Sequence, residues 1–239
     1  MAALVQALLN SNVVDPMAIR VQSLDVVAPV DKREMAAFAR EVTPGLRADY
    51  IERRLETYSL VASAWRGERL RAFQLIDQRI LPDLTLTYLG PAFSKVGAYV
   101  LIFASLVGTR IEAGNPFCFA VEFESQGAEG SLRRLLPRSA FPRAGDLGEG
   151  ESASVRALAR RFASTFDHIG SLDEERLWTR MTEPMTPASA RNGHYQMMVV
   201  PCLSAEERVR LVEDLAAGLE SFRRRRPGSR RTEQGRAAP

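Results

Sequence analysis

The stretch Leu86–Val107, LTYLGPAFSKVGAYVLIFASLV, decides how the rest of the chain is read. Its first residues form an apolar, β-prone run, Gly90-Pro91 is a turn signal, and a glycine-bearing connection then leads into an apolar helix. A chain that leaves a strand and enters a helix exposes unpaired N–H groups at the helix's positive end, where an anion can be held. Ser94, Lys95, Val96, Gly97, Ala98 and Tyr99 would supply those amides. Gly97 and Ala98 are small enough for a phosphate to approach the backbone.

Upstream, RVQSLDVVAP predicts a strand over Ile19 to Val27, and Asp31 is the expected N-cap of a helix burying Met35, Phe38 and Val42. Pro44-Gly45 ends it. A second helix from about Arg47 places Ile51, Leu55 and Tyr58 on one face, with Arg and Glu on the others. The runs SLVASAW and RLRAFQLIDQRIL, joined by Arg66-Gly67-Glu68, read as an antiparallel hairpin, and LTLTYL as the third strand of a meander.

Downstream, PFCFAVEFES is a fifth strand and GSLRRLLPRSAF a short helix broken at Pro137. Residues 142 to 151 read as a glycine-rich charged surface loop. A helix carrying Val155, Leu158, Phe162 and Phe166 comes next, then another helical turn or two in DEERLWTRM and a loop with two prolines. HYQMMVVPCL is a strand, and Ser204 with Glu207 forms a capping box that opens a last helix.

The formal charge of +3 conceals an asymmetry: from Arg223 onward seven arginines face one glutamate, a tail of +6 that leaves residues 1 to 222 at −3. With only two lysines among 32 basic residues, the arginine content points to coding bias and is weak evidence for nucleic acid, and the negative charge of residues 1 to 222 disfavours that role. The tail reads as disordered by composition. Two cysteines, neither in a C-x-x-C pair nor near a histidine at ligand spacing, argue against metal and against a disulfide framework. MAALVQALLN lacks a basic flank and a cleavage site, and no run reaches the ~20 apolar residues of a membrane span, so the chain is expected to be cytoplasmic.

The order strand, helix, helix, three-strand meander, helix, strand, helix over residues 19 to 141 resembles the GCN5-related N-acetyltransferase superfamily. In that superfamily the fourth strand ends in a segment Pro-x-aromatic-Arg/Gln-x-x-Gly-x-Gly/Ala, and Pro91, Phe93, Ser94, Gly97 and Tyr99 stand at those positions. Ser94 replaces the usual Arg or Gln, and Tyr99 the usual small residue; Lys95 could substitute as a point charge. The chain resembles a degenerate member, of bacterial type. The resemblance implies an α/β fold with a mixed central sheet flanked by helices, built from a core over 1–141, a C-terminal helix and strand addition over 142–222, and the tail 223–239.

It also implies acyl-CoA or acetyl-CoA as co-substrate, held by residues 94–99, and transfer of the acyl group to a small-molecule amine. The donor could instead be an acyl carrier protein, which the basic tail would attract. The base would lie near the split between the fourth and fifth strands, where burial raises a carboxyl's pKa. Glu122 and Glu124 on the fifth strand are the candidates, set against a solvated face or arginine pairing, and Tyr88 would lie near a bound thioester. The addition covers the substrate side or forms a homodimer interface. Two other readings stay open: a non-catalytic binding or assembly protein of the same fold that no longer holds coenzyme A, and a basic-tailed nucleic-acid binder.

Overall fold

A computed structural model describes residues 17–95, 98–123, 126–141, 149–166 and 196–224. Six strands form one sheet in chain order: β1 (Ala18–Ser23), β2 (Leu60–Arg66), β3 (Arg69–Ile80), β4 (Thr85–Ser94), β5 (Phe117–Phe123) and β6 (Gln196–Cys202). Every neighbouring pair is antiparallel except β4 and β5. A parallel pair needs a crossover, and the helix α3 (Ala98–Ala113) supplies it. The other helices are α1 (Pro29–Val42), α2 (Ala48–Thr57), α4 (Gln126–Leu135), α5 (Glu149–Thr165) and α6 (Ala205–Arg224).

The alternation of side chains along the strands feeds two cores. Val61, Phe73, Leu75, Leu86 and Ala120 join Met35, Phe38, Ile51, Leu55, Val155 and Phe162 from α1, α2 and α5. Ala62, Ile76, Phe117, Phe119 and Val200 join Ile102, Phe103, Val107, Leu135 and Leu211 from α3, α4 and α6. The sheet is thus covered on both faces, an α/β architecture of the expected kind. β6 pairs with β5 along its whole length, so the C-terminal region extends the same sheet.

The hairpin closes on Gly67 in the left-handed conformation, with Arg66 facing Arg69. The capping box forms as expected: Ser204 Oγ accepts from the Glu207 N–H, and Glu207 Oε2 accepts from the Ser204 N–H, both at 3.2 Å. The expected start of α1 is corrected. The helix begins at Pro29, where the missing N–H is harmless, and Asp31 sits in its first turn without capping it. β1 ends at Ser23, four residues short of expectation, and α5 begins at Glu149, inside the expected loop.

The largest correction concerns Gly90-Pro91, which makes no turn. β4 runs through both residues, because together they stand opposite the single residue Leu75: Leu89 pairs with Ile76, and Ala92 with Gln74. This is a β-bulge, a place in a sheet interior where a proline is tolerated. The extra residue shifts the alternation by one, so that Tyr88 and Phe93 both face the α1/α2/α5 core.

Candidate functional site

The bulge also ends the contact between β4 and β5. Their parallel register runs from Thr85 opposite Phe117 to Leu89 opposite Val121 and goes no further. Tyr88 and Glu122 lie at the point of parting, and the two side chains meet there: the Tyr88 hydroxyl donates to Glu122 Oε2 at 2.8 Å. Phe117, Phe119, Val121 and Phe123 belong to the opposite core. The Glu122 face of β5 is therefore no open solvated surface, since Tyr88 occupies it.

Aromatic rings surround the pair. Tyr58, which follows α2, stacks on Tyr88 with ring centroids 6.4 Å apart and planes 19° from parallel. Phe166, just past α5, lies 6.1 Å from Tyr88 on a tilted plane. The Tyr58 ring is seated on Gly90, whose absent side chain makes room for it; a Cβ there would lie 2.3 Å from the ring. The glycine is required by the ring's position, with no special backbone angle involved.

Charged groups stand around these rings. Asp77, buried opposite Tyr88, accepts from Ser59 Oγ at 2.9 Å, from the Gln78 N–H at 3.0 Å and from Arg79 at 2.6 Å. The Arg79 guanidinium in turn lies 5.5 Å from the Phe166 ring centroid. Arg54 from α2 covers the Tyr50 ring at 5.4 Å. Burial pushes the Tyr88 hydroxyl well above the usual phenol range, and the negative charge of Glu122 and the neighbouring Tyr58 push the same way. Burial raises Tyr58 too, against the pull of Arg54. Tyr88 therefore stays a neutral donor at neutral pH, and the carboxylate it addresses receives a charge-assisted hydrogen bond.

The 94–99 connection is organised around its own backbone. Ser94 Oγ accepts from the Tyr99 N–H at 3.0 Å and donates to the Lys95 carbonyl at 2.8 Å. The Lys95 N–H bonds to the Arg71 carbonyl at 3.0 Å, and the Ala98 N–H to the Lys95 carbonyl at 3.2 Å. Three of the amides expected to face an anion are thus already paired within the chain. Lys95 turns away as well: its ammonium pairs with Glu41 of α1 and lies 5.4 Å from the Phe38 ring. Tyr99 is half-buried, and burial pushes its hydroxyl up to about 12 against the opposing hydrogen bond of Gln74. Gln74, fully buried, donates to the Gly90 carbonyl at 3.3 Å and so ties β3 to the bulge.

Val96, Gly97 and Glu124 lie outside the described residues, as do His168 and His194. Cys118 is fully buried, and that burial pushes its thiol far up, away from nucleophilic use. Among the described residues there is no cluster of His, Cys, Asp and Glu able to hold a metal, and no helix long and apolar enough to cross a membrane. The helical spacing placed Tyr58 beside Ile51 and Leu55, and Phe166 beside Phe162, as core positions. One signal was present: a glycine before proline in a β-prone run, which marks a bulge or a close approach.

A mixed sheet flanked by helices, with its fourth and fifth strands parting after Leu89 and Val121, is the arrangement the resemblance implied; the bulge beside the parting was no part of it. The fold resembles that of the GCN5-related N-acetyltransferases. No family model matches the chain, and no curated protein does. Solved structures similar to it include a possible acetyltransferase from Clostridium difficile 630, 13% identical with TM-score 0.38, over 55% of this chain and 93% of that one. N-acetylglutamate synthase from Neisseria gonorrhoeae, solved with coenzyme A and N-acetyl-glutamate, is 12% identical with TM-score 0.39, over 77% of this chain and 35% of that one. An aminoglycoside N-acetyltransferase solved with coenzyme A is 12% identical with TM-score 0.34, over 50% of this chain and 84% of that one. At such scores these likenesses carry no argument about activity, and the assignment of fold rests on topology.

Proposed function

We propose that this GCN5-related fold acts as an acyltransferase, moving an acyl group from an acyl thioester, such as acyl-CoA, onto an amine. The observation that carries the reading is the Tyr88–Glu122 pair at the parting of β4 and β5. The amine nitrogen bonds to the thioester carbonyl carbon, the carbon–sulfur bond breaks, and the sulfur leaves as a thiolate that takes a proton from solvent. Glu122, half-buried, takes the proton that the amine gives up. Tyr88, held neutral, orients that carboxylate by giving it the one proton of its hydroxyl. Tyr58 and Phe166 keep the pair dry on the α2 and α5 sides, which strengthens both interactions.

A second reading has an observation of its own. With the amides of Lys95, Ala98 and Tyr99 paired inside the chain and Lys95 held by Glu41, the described part of the connection does not fit a pyrophosphate. This favours a protein of the same fold that binds or assembles without using coenzyme A. The donor could also be a carrier-bound thioester, which places less demand on these amides.

One experiment separates the readings. Coenzyme A, acetyl-CoA, a longer acyl-CoA and an acyl carrier protein are added in turn and the melting temperature followed; a ligand at 100 times its Kd stabilises by about 2.7 kcal/mol. A rise with any donor, together with amine acylation that falls roughly 100-fold or more in Glu122→Gln, supports the enzyme. No rise with any of the four leaves the binding reading.

A further inference from the structure

Charge is spread unevenly over the sheet. Residues 1 to 222 sum to −3, yet the stretch Arg66–Arg71, which closes the β2–β3 hairpin, holds three arginines and one glutamate. The register sets Arg66 directly opposite Arg69, an arrangement in which like charges work against each other. Arg69 is exposed and Arg71 half-buried, and among the described residues Glu68 in the turn forms no ion pair with either. One strand further out, Arg20 lies over the Trp65 ring, 5.3 Å from its centroid, and carries the basic surface onto β1.

This is the end of the sheet at which β4 passes into α3. Ala72 pairs with Ser94, and the Lys95 N–H bonds to the Arg71 carbonyl at 3.0 Å, so the arginines stand beside the 94–99 connection. That connection has its Lys95, Ala98 and Tyr99 amides paired within the chain and its Lys95 ammonium held by Glu41. A free acyl-CoA relies on such a cradle for its pyrophosphate. A thioester on the prosthetic arm of a carrier protein brings only one phosphodiester, and the carrier's own surface supplies the binding. Complementarity to the hairpin end requires that surface to be acidic. A long polyanion such as RNA suits it less well, because the negative body of the chain repels what extends beyond the patch.

We propose that the hairpin end, through Arg69 and Arg71 with Arg20 and Arg66 beside them, docks an acidic carrier protein that delivers the acyl thioester. The arm runs along β4 from Ser94 to the parting at Leu89, about 17 Å for five residues of strand. This rests on the acyl-transfer reading for what is delivered, but the docking needs neither acceptor nor turnover.

The test titrates the full chain into fluorescently labelled acyl carrier protein in its apo, holo and octanoyl forms, at about 50 and about 500 mM salt, with an RNA of matched charge as competitor. The carrier should bind at the lower salt and weaken at the higher. Arg69→Glu and Arg71→Glu should each weaken it on the order of tenfold at the lower salt, and Arg69→Gln by less. Arg33→Glu makes the same change of charge on an exposed residue at the opposite end of α1 from Glu41, and should cost less than about twofold. The melting temperature of each variant alone checks that it folds.

No binding of any carrier form overturns the proposal. So does an equal loss in Arg33→Glu, or RNA held more tightly than the carrier with the same dependence on Arg69. Carrier binding that depends on Arg69 and Arg71, without acylation of any amine, keeps this inference and removes the enzyme reading. Amine acylation from acyl-CoA with no carrier bound does the reverse, so the two failures are distinguishable.

Discussion

Adding one methyl group at Gly90 tests whether the bulge and the aromatic site are one device. A Cβ built on Gly90 would lie 2.3 Å from Cε1, 2.5 Å from Cζ and 2.6 Å from the hydroxyl oxygen of Tyr58. Carbon atoms in contact prefer about 3.5–4.0 Å, so the ring must move by more than about 1 Å. It has little freedom to do so, being 7% exposed and stacked on Tyr88. Forced repacking of this kind costs about 1–3 kcal/mol, partly offset by about 0.4–1 kcal/mol because alanine narrows the unfolded ensemble. Gly90→Ala should therefore lose about 1–2 kcal/mol. At roughly 2–4 °C per kcal/mol for a chain of this size, the melting temperature falls by about 2–8 °C. The control is a double-mutant cycle with Tyr58→Leu, whose side chain ends before the three clashing atoms. In that background the methyl should be neutral or stabilising, giving a coupling above about 1 kcal/mol. An equal loss in both backgrounds, by urea denaturation, would refute the seating of the ring on the glycine.

Three further outcomes follow from the same contacts. Tyr58, Tyr88 and Tyr99 have folded-state pKa values raised by burial, so each binds its proton more tightly folded than unfolded. Their contribution is complete below the unfolded value of about 10 and is lost as pH rises toward 12 and beyond; a pH series of melting temperatures should fall over that window, and less steeply in Tyr88→Phe. Ser94→Ala removes the hydroxyl that accepts the Tyr99 N–H and should lower stability by about 1 kcal/mol, checked by urea denaturation, with no loss if solvent caps the helix equally well. Asp214, buried on α6, accepts from the Arg138 N–H at 2.9 Å and its Nε at 2.7 Å; Asp214→Ala should lose about 1–3 kcal/mol, and Asp214→Asn less, on the same measurement.

Periodicity carried most of the fold. Met35 with Phe38, Ile51 with Leu55, and Val155 with Phe162 repeat at helical spacing, and each set is buried where that spacing put it. The Arg66–Arg69 turn was legible because glycine at a two-residue connection has a local cause. The bulge had no local cause. Gly90-Pro91 is a turn signal by composition, and only pairing with β3 on one side, together with the Tyr58 ring, makes a continuous strand the better solution. The same holds for the site. Glu122 and Tyr88 were visible one at a time, on strands separated by a helix, but their 2.8 Å contact depends on a parallel register that the sequence does not encode locally.

The two halves of the site answer to different constraints, which explains why one looks intact and the other worn. Tyr88, Glu122 and Tyr58 hold one another through directional contacts, and their cost of assembly is carried by a large apolar core. The 94–99 connection lies where β4 passes into α3, and among its described residues the N–H groups of Lys95, Ala98 and Tyr99 and the Lys95 ammonium are paired within the chain. A helix start that depended on an anion would leave N–H groups unpaired in the free protein, at about 1–3 kcal/mol for each one buried. Ser94 removes that dependence for Tyr99. Among the described residues, the connection thereby holds its shape without a donor.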